Sequence, residues 1–329
     1  MNMVDDVAIS VVGLRKCYRN AVALEGINLT VQRGSTYALL GPRGSGKTTT
    51  VRILSTLARP DGGYARVAGF DVVQDRHEVQ RRIGLTGQSL TVDAMQTGEE
   101  NLRMLGRLFR LSPRQARRRA AELLELHSLG GAAKLRVREY SDGMRRRLDL
   151  AASLVVQPSV IYLDEPTAGL EPRSRQAIWQ AVRELSGSGA TIFLTTRLPE
   201  EADRLADRVG ILNRGRVVAE GAPADLKLQV ASHRLELTLM DGLAYRHVVD
   251  SFDLGLLDGE VLSSDPRTRT IVVLTDGSAS HARTLLDRID PMCTLVKGFT
   301  PRSATLDDVY LALTGLAACG CSQRETADV

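Results

Sequence analysis

"GPRGSGKT", residues 41 to 48, is the stretch whose reading decides the fold. It follows the apolar run "TYALL" (36–40) and opens a helical pattern from Lys47. Its spacing is G-x-x-x-x-G-K-[ST], the strand–loop–helix device that grips phosphate. Glycines let successive backbone N–H groups turn inward, and the helix N-terminus adds partial positive charge. Lys47 is expected to reach the β- and γ-phosphates, and the Thr48 hydroxyl to hold Mg²⁺. The expected nucleotide-binding set is Gly41, Pro42, Arg43, Gly44, Ser45, Gly46, Lys47, Thr48 and Thr49.

The second half of such a site lies at "VIYLDEPT" (160–167). Its apolar residues read as a strand, and Asp164 and Glu165 stand at the carboxyl end, where open α/β sheets bind ligands. Asp164 is expected to hold the Mg²⁺ water shell. Glu165 is expected to act as the general base on an attacking water. Two adjacent acids at a strand end are also compatible with simple solvation, but the phosphate loop upstream favours the paired reading.

Further apolar runs, "RIGLT" (82–86) and "ATIFLTT" (190–196), alternate with helical stretches, the pattern of a buried parallel sheet. Residues 8 to 68 read as β segments with turns. Ser112-Pro113-Arg114-Gln115 is a capped helix start, with Ala116, Ala120, Leu123 and Leu124 on one face and Gly130-Gly131 as the expected stop. "VGILNRGRVVAEG" (209–221) reads as a hairpin turning at Asn213-Arg214-Gly215. Trp179 is expected in the core. Beyond Pro223 the pattern becomes a small α+β unit, with strands at "HRLELTL", "TRTIVVLTDG" and "CTLVKGF" and helices from Gly242, Ser278 and Thr305.

Composition narrows the function class. No apolar run reaches the ~18 residues of a spanning helix, and the amino-terminal stretch has no signal-peptide pattern. A cytoplasmic chain is expected. Net charge is +4, yet aromatics are only 4%, which argues against nucleic acid as a partner. The run Arg117-Arg118-Arg119 reads as a solvated helix face or, alternatively, a surface toward anionic lipid or a partner. Four cysteines give no disulfide framework, and Cys319 and Cys321 read as free thiols.

These motifs, taken with "YSDGMRRRLDLAASLVVQPSVIYLDEP" (140–166), "AGLEP" (168–172) and "TTRLPEEADRLADRVGILNRGRVVAEG" (195–221), resemble the ATP-binding subunits of ABC transporters from residue 8 to about 225. The signature stretch and "TLDDVYLALTG" (305–315) look like the daunorubicin-resistance-type drug-export ATPases. The resemblance implies an α/β fold: a RecA-like parallel sheet core, an antiparallel β subdomain and a helical subdomain at about 91–150. An ATP-binding domain over 1–227, a small C-terminal α+β domain over 228–318 and a tail over 319–329 would follow. It also implies that Tyr18 stacks on adenine, that Gln88 senses Mg²⁺, and that Ser141 and Gly143 donate to the γ-phosphate held by a second ATPase domain. ATP and Mg²⁺ are the implied cofactors. The implied partners are an integral membrane permease and a second ATPase domain, identical or not, with the chain peripheral on the cytoplasmic face of the membrane. A regulatory subunit with weak hydrolysis and a soluble, non-transport ATPase are the competing readings.

Four positions depart from the family pattern. Asp142 replaces the first signature glycine, Glu171 the D-loop aspartate, Arg43 an asparagine or serine, and Arg197 a histidine or glutamine that contacts the γ-phosphate. They read as erosion with slow turnover, or as compensation in which Arg43 and Arg197 offset the charge of Asp142. Alternatively, Asp142 points into solvent. Intact Lys47, Thr48, Gln88, Asp164 and Glu165 favour compensation.

Overall fold

The computed structural model describes residues 6–19, 21–87, 91–228, 233–254 and 261–314. Gln88 and the tail cysteines therefore lie outside the described residues. The chain divides into two compact units, Met1–Pro223 and Ala224–Val329.

In the first unit, β1 (Val7–Tyr18) and β2 (Ala21–Gln32) form a long antiparallel ribbon. β3 (Thr36–Leu40) enters the central sheet, and α1 (Lys47–Leu54) leaves the loop after it. β4 (Gly62–Val67) and β5 (Phe70–Asp71) complete the first sheet, in the order β2-β1-β4-β5. α2 (Arg76–Gln80) leads to β6 (Ile83–Thr86). Then come α3 (Gly98–Leu108), α4 (Pro113–Leu126) and α5 (Asp142–Ser153). β7 (Val160–Asp164), α6 (Pro172–Gly187), β8 (Thr191–Thr196), α7 (Pro199–Leu205), β9 (Arg208–Asn213) and β10 (Arg216–Gly221) finish the unit.

The central sheet runs β10-β9-β3-β8-β7-β6 and is parallel except for β10. Every residue of β3, β7 and β8 is buried, as helices on both faces require of a parallel sheet. Tyr37 and Phe193 stack with ring centroids 5.5 Å apart. Register matters most for the site. Leu40 pairs with Thr196 and Asp164 with Thr195, so the carboxyl ends of β3, β8 and β7 stand side by side. The β9–β10 turn has Arg214 and Gly215 at φ 48° and 76°, both left-handed, as a tight two-residue hairpin demands.

The expected start of α4 is present as a reciprocal capping box between Ser112 and Gln115, and its four expected apolar residues are buried. Its expected stop is not. The helix ends at Leu126, where Ser128 turns left-handed (φ 54°) and the N–H groups of Ser128 and Leu129 close on Glu125 and Leu124. This is a Schellman-type end with serine in the usual glycine place. Gly130 instead begins a short 3₁₀ turn, where a Cβ would lie 2.0 Å from the Glu125 carboxylate. Of the arginine run on α4, Arg118 pairs with Glu122, while Arg119 reaches the Leu154 carbonyl (2.9 Å) at the end of α5.

α8 (Pro223–Leu228) spans the division between units. The second unit contains β11 (His233–Leu239), α9 (Gly242–Asp253), β12 (Val261–Asp265), β13 (Thr270–Thr275), α10 (Ala279–Ile289), β14 (Val296–Ser303) and α11 (Leu306–Thr314). Its antiparallel sheet runs β12-β13-β11-β14, a split βαβ arrangement. Alternate residues Leu235, Leu237 and Leu239 face Tyr245, Val248, Leu285 and Ile289 in a core of its own. β12 is a strand with no counterpart in the sequence pattern.

Candidate nucleotide-binding site

The loop after β3 has no room for side chains at two of its glycines. A Cβ on Gly41 would lie 2.3 Å from the Leu212 carbonyl oxygen. On Gly46, at φ 112°, it would lie 2.5 Å from the Ala23 carbonyl oxygen. The Ser45 carbonyl accepts from the Gly215 N–H (3.0 Å), fixing the loop to the β9–β10 turn. Arg43 and Gly44 are exposed at the tip, Pro42 is half-buried, and Thr49 is half-buried on α1 behind Thr48.

Lys47 is 4% exposed. Its ammonium donates to the carbonyls of Gly41 (2.8 Å) and Pro42 (2.9 Å) and lies 3.4 Å from Glu165 Oε1. Burial pushes its pKa down, with Glu165 pulling the other way. The Thr48 hydroxyl donates to Asp164 Oδ1 (3.3 Å), which also accepts from the Thr195 hydroxyl. One carboxylate and one hydroxyl, both hard oxygen donors, suit Mg²⁺, which keeps most of its waters when bound. Among the described residues no group of three or more His, Cys, Asp or Glu side chains is placed to hold a metal ion.

Glu165 sits at φ 50°, a left-handed conformation that a non-glycine residue holds only when its surroundings impose it. The imposing contacts are visible. Its N–H donates to the Thr195 carbonyl (3.0 Å) and hydroxyl (3.1 Å). Its carboxylate lies between Lys47 and Arg197 Nε (3.0 Å). A cavity of about 280 Å³ opens beside it, lined by Thr167, Arg175, Arg197 and Glu201 among others. Buried Glu201 there accepts from the Thr167 hydroxyl (2.7 Å) and the indole of Trp179 (2.8 Å), which is buried as expected.

The signature stretch sits on a different element. Ser141 caps α5, its hydroxyl accepting from the Met144 N–H (3.3 Å). Asp142 occupies the first helical position, where the helix dipole favours an acid, and pairs with Arg145 at 3.1 Å. Its side chain is 82% exposed. Gly143 has a packing reason: a Cβ there would lie 2.8 Å from Ser174 Oγ on α6.

The structure thus joins Lys47, Thr48, Asp164, Glu165 and Arg197 in one network. Tyr18 stands half exposed at the end of β1, with the Lys16 ammonium 5.2 Å from its ring centroid. Glu171 is exposed as the cap residue of α6 and makes no side-chain cap bond, its stem being longer than the aspartate that normally serves there. Arg197 bonds to Glu165 of its own chain.

Three residues escaped the sequence reading. Thr195 holds both Asp164 and Glu165. Arg146, in the middle of an arginine run, is 6% exposed and donates to the carbonyls of Pro166 (2.7 Å), Gly87 (2.8 Å) and Glu165 (3.0 Å). Asp149, one turn on, accepts from the N–H (2.9 Å) and hydroxyl of Thr91 and lies 3.8 Å from Arg146. The signal was the i,i+3 charge pair flanked by Leu148 and Leu150, which places the charges on the buried side of α5.

Comparison with known proteins follows this geometry. Residues 24–168 match the family model described as ABC transporter. The "Daunorubicin resistance ATP-binding protein DrrA2" of Streptomyces coeruleorubidus is 44% identical over 326 residues, 98% of this chain and 100% of that protein. CbiO1 of Clostridium perfringens, described as part of the ABC transporter complex cbiONQ, superposes with a TM-score of 0.63 at 25% identity, over 68% of this chain and 92% of its own. A dimeric, post-hydrolysis structure of the ATP-binding cassette MJ0796 with ADP and Pi gives a TM-score of 0.59 at 26% identity, over 65% and 98%.

Proposed function

This chain belongs to the family of ABC transporter ATP-binding proteins, and on that footing we propose that it is the ATP-hydrolysing subunit of an exporter for a small, hydrophobic, drug-like compound. One observation carries the catalytic part of the reading. Lys47, the Thr48–Asp164 pair and Glu165 meet at the carboxyl ends of β3 and β7, which flank β8 in the central sheet.

In this reading Lys47 leaves the loop carbonyls for the β- and γ-phosphates, and the remaining loop residues, with Thr49, line the phosphate path. Tyr18 stacks on adenine. Thr48 and Asp164 would hold Mg²⁺, which would neutralise phosphate charge when bound. Glu165 takes the proton of the attacking water, and Arg197 turns from Glu165 to the γ-phosphate as ATP enters. Ser141 and Gly143 serve the nucleotide of a second ATPase domain. The drug class rests on the full-length likeness to a daunorubicin-resistance protein. Among the described residues no helix is long and apolar enough to cross a membrane. A separate permease would provide the pore and hold this chain at the cytoplasmic membrane face.

Arg197 also favours a second reading. Its guanidinium holds the carboxylate that hydrolysis needs, as suits a regulatory subunit that binds ATP and scarcely turns it over. Phosphate release decides. The purified chain should release phosphate from ATP with Mg²⁺ and stop on chelation, and Glu165→Gln should lower the rate by about 10²–10⁴-fold, the usual worth of a general base. ATP binding without phosphate release would favour the regulatory reading, and an unchanged rate in the variant would remove Glu165 from its role.

A further inference from the structure

The three arginines that follow the signature loop each bind a different shell. Arg145 donates to the carbonyls of Val137 (3.2 Å) and Arg138 (2.8 Å), in the turn before α5. Arg147 donates to the carbonyl of His127 (2.9 Å), at the end of α4. Arg146 alone points at the chemistry, and its three carbonyl partners come from two segments. Gly87 directly follows β6 and precedes Gln88 in sequence. Glu165 and Pro166 carry the acid at the end of β7.

A buried cation spread over three carbonyls is a demanding arrangement. Its charge-assisted bonds are strong, and a planar guanidinium fixes their mutual angles as an ammonium cannot. Asp149 completes it, lying 3.8 Å from Arg146 and holding Thr91, so that one turn of α5 grips both Gly87 and Thr91. Glu165 is left-handed and needs external restraint: Thr195 holds its N–H, and Arg146 holds its carbonyl. Ser141 and Asp142 stand exposed about one turn before Arg146, at the start of the same helix.

We infer that Arg146, supported by Asp149, is a positioning residue for hydrolysis: it fixes the backbone that aims the Glu165 carboxylate, and ties that aim to the placement of the signature helix. The inference rests on the reading of Glu165 as general base. It makes Arg146 neither a phosphate ligand nor a mere prop of the helix. Loss of its fork should misplace Glu165 while leaving Lys47 and Thr48 free to bind ATP. A misplacement of about 1 Å is enough to cost on the order of 10²-fold in rate.

The test uses the full chain and measures kcat, ATP dissociation constant and Tm in parallel. Arg146→Gln should lower kcat about 100-fold. Arg146→Lys, which keeps the charge and loses the fork, should lower it about tenfold. Both should bind ATP within about threefold of the parent protein. Arg147→Gln is the control for helix stability: it should lower Tm and keep kcat within about twofold. Should Arg146→Gln fail to fold, Asp149→Asn, nearly isosteric, should still lower kcat by about threefold or more. If Arg146→Lys and Asp149→Asn keep parental kcat, or if kcat falls only in step with Tm as for Arg147→Gln, the inference is overturned. Parental hydrolysis in Glu165→Gln overturns both the inference and the functional reading. An inactive Glu165→Gln beside fully active Arg146 variants overturns the inference alone.

Discussion

Lys47, Asp164 and Glu165 lie buried at the strand ends, each held by partners within the chain. Ser141 and Asp142 stand exposed at the start of α5, and Asp142 pairs with Arg145 on its own helix. The half of the site proposed to hold phosphate and metal is therefore assembled by a single chain, while the signature end is displayed on a surface. Contacts within the chain hold the first half in place, whereas the second, on the proposed reading, would gain its chemistry from what docks on it. On the proposed reading a second ATPase domain would be that docking partner.

The strongest way to break this comparison is to damage the assembled half alone. Lys47→Ala removes a charged donor from the phosphates and should weaken ATP binding by about 10–100-fold, as loss of a charged hydrogen bond does. Ser141 and Asp142 would be untouched. Equilibrium titration with a fluorescent ATP analogue measures it, and parental affinity in the variant would show that Lys47 keeps to its loop carbonyls.

A second prediction concerns the mounting of the displayed half. Arg147 on α5 bonds the carbonyl of His127, whose imidazole is buried and pushed down to about 4 by burial, with the Arg147 charge adding to the effect. The unfolded chain binds this proton near 6.5, so between these two values it holds more protons than the folded one. The neutral imidazole therefore contributes stability above about pH 6.5 that is lost as pH falls toward 4. Between pH 7.5 and pH 5 the loss should be about 2 kcal/mol from this group. Denaturant titrations should show it, and His127→Leu should flatten that part of the pH dependence. An equally steep dependence in the variant would place the effect elsewhere.

The smallest effect sharpens the comparison at its outermost residue. If Arg43 of one chain meets Asp142 of another, Arg43→Asn and Asp142→Gly should couple by about 1 kcal/mol in ATP-driven dimerisation. Effects that add within a few tenths would leave Asp142 to Arg145 and solvent.

Much of this architecture is legible in the residues. "TYALL", "VIYLD" and "TIFLTT" read as unbroken apolar runs because a parallel sheet is covered on both faces, and their order around the phosphate loop suffices to locate the site. The capping box at Ser112 is equally plain, since its two bonds depend only on local spacing. What stays hidden depends on distant contacts. β12, with the sequence VLSSD, is a half-exposed strand and carries no apolar alternation. Ser128 turns left-handed where a glycine pair two residues on was the obvious stop. Arg146 and Asp149 sit in an arginine-rich stretch where only their spacing beside Leu148 and Leu150 hints at burial, and their partners Gly87, Thr91 and Pro166 come from other elements.

The central claim, that one chain assembles half of the site and borrows the other, has a direct measurement. Glu165→Gln keeps the phosphate and metal groups and removes the proposed base, so ATP should bind, fail to hydrolyse and hold two chains together. Size-exclusion chromatography with light scattering, run with and without Mg²⁺–ATP, reads the outcome. The account predicts a dimer of twice the chain mass only with ATP, lost when Ser141→Arg is added to block the signature surface. A variant that saturates with ATP and stays monomeric, or a dimer indifferent to Ser141→Arg, would contradict it.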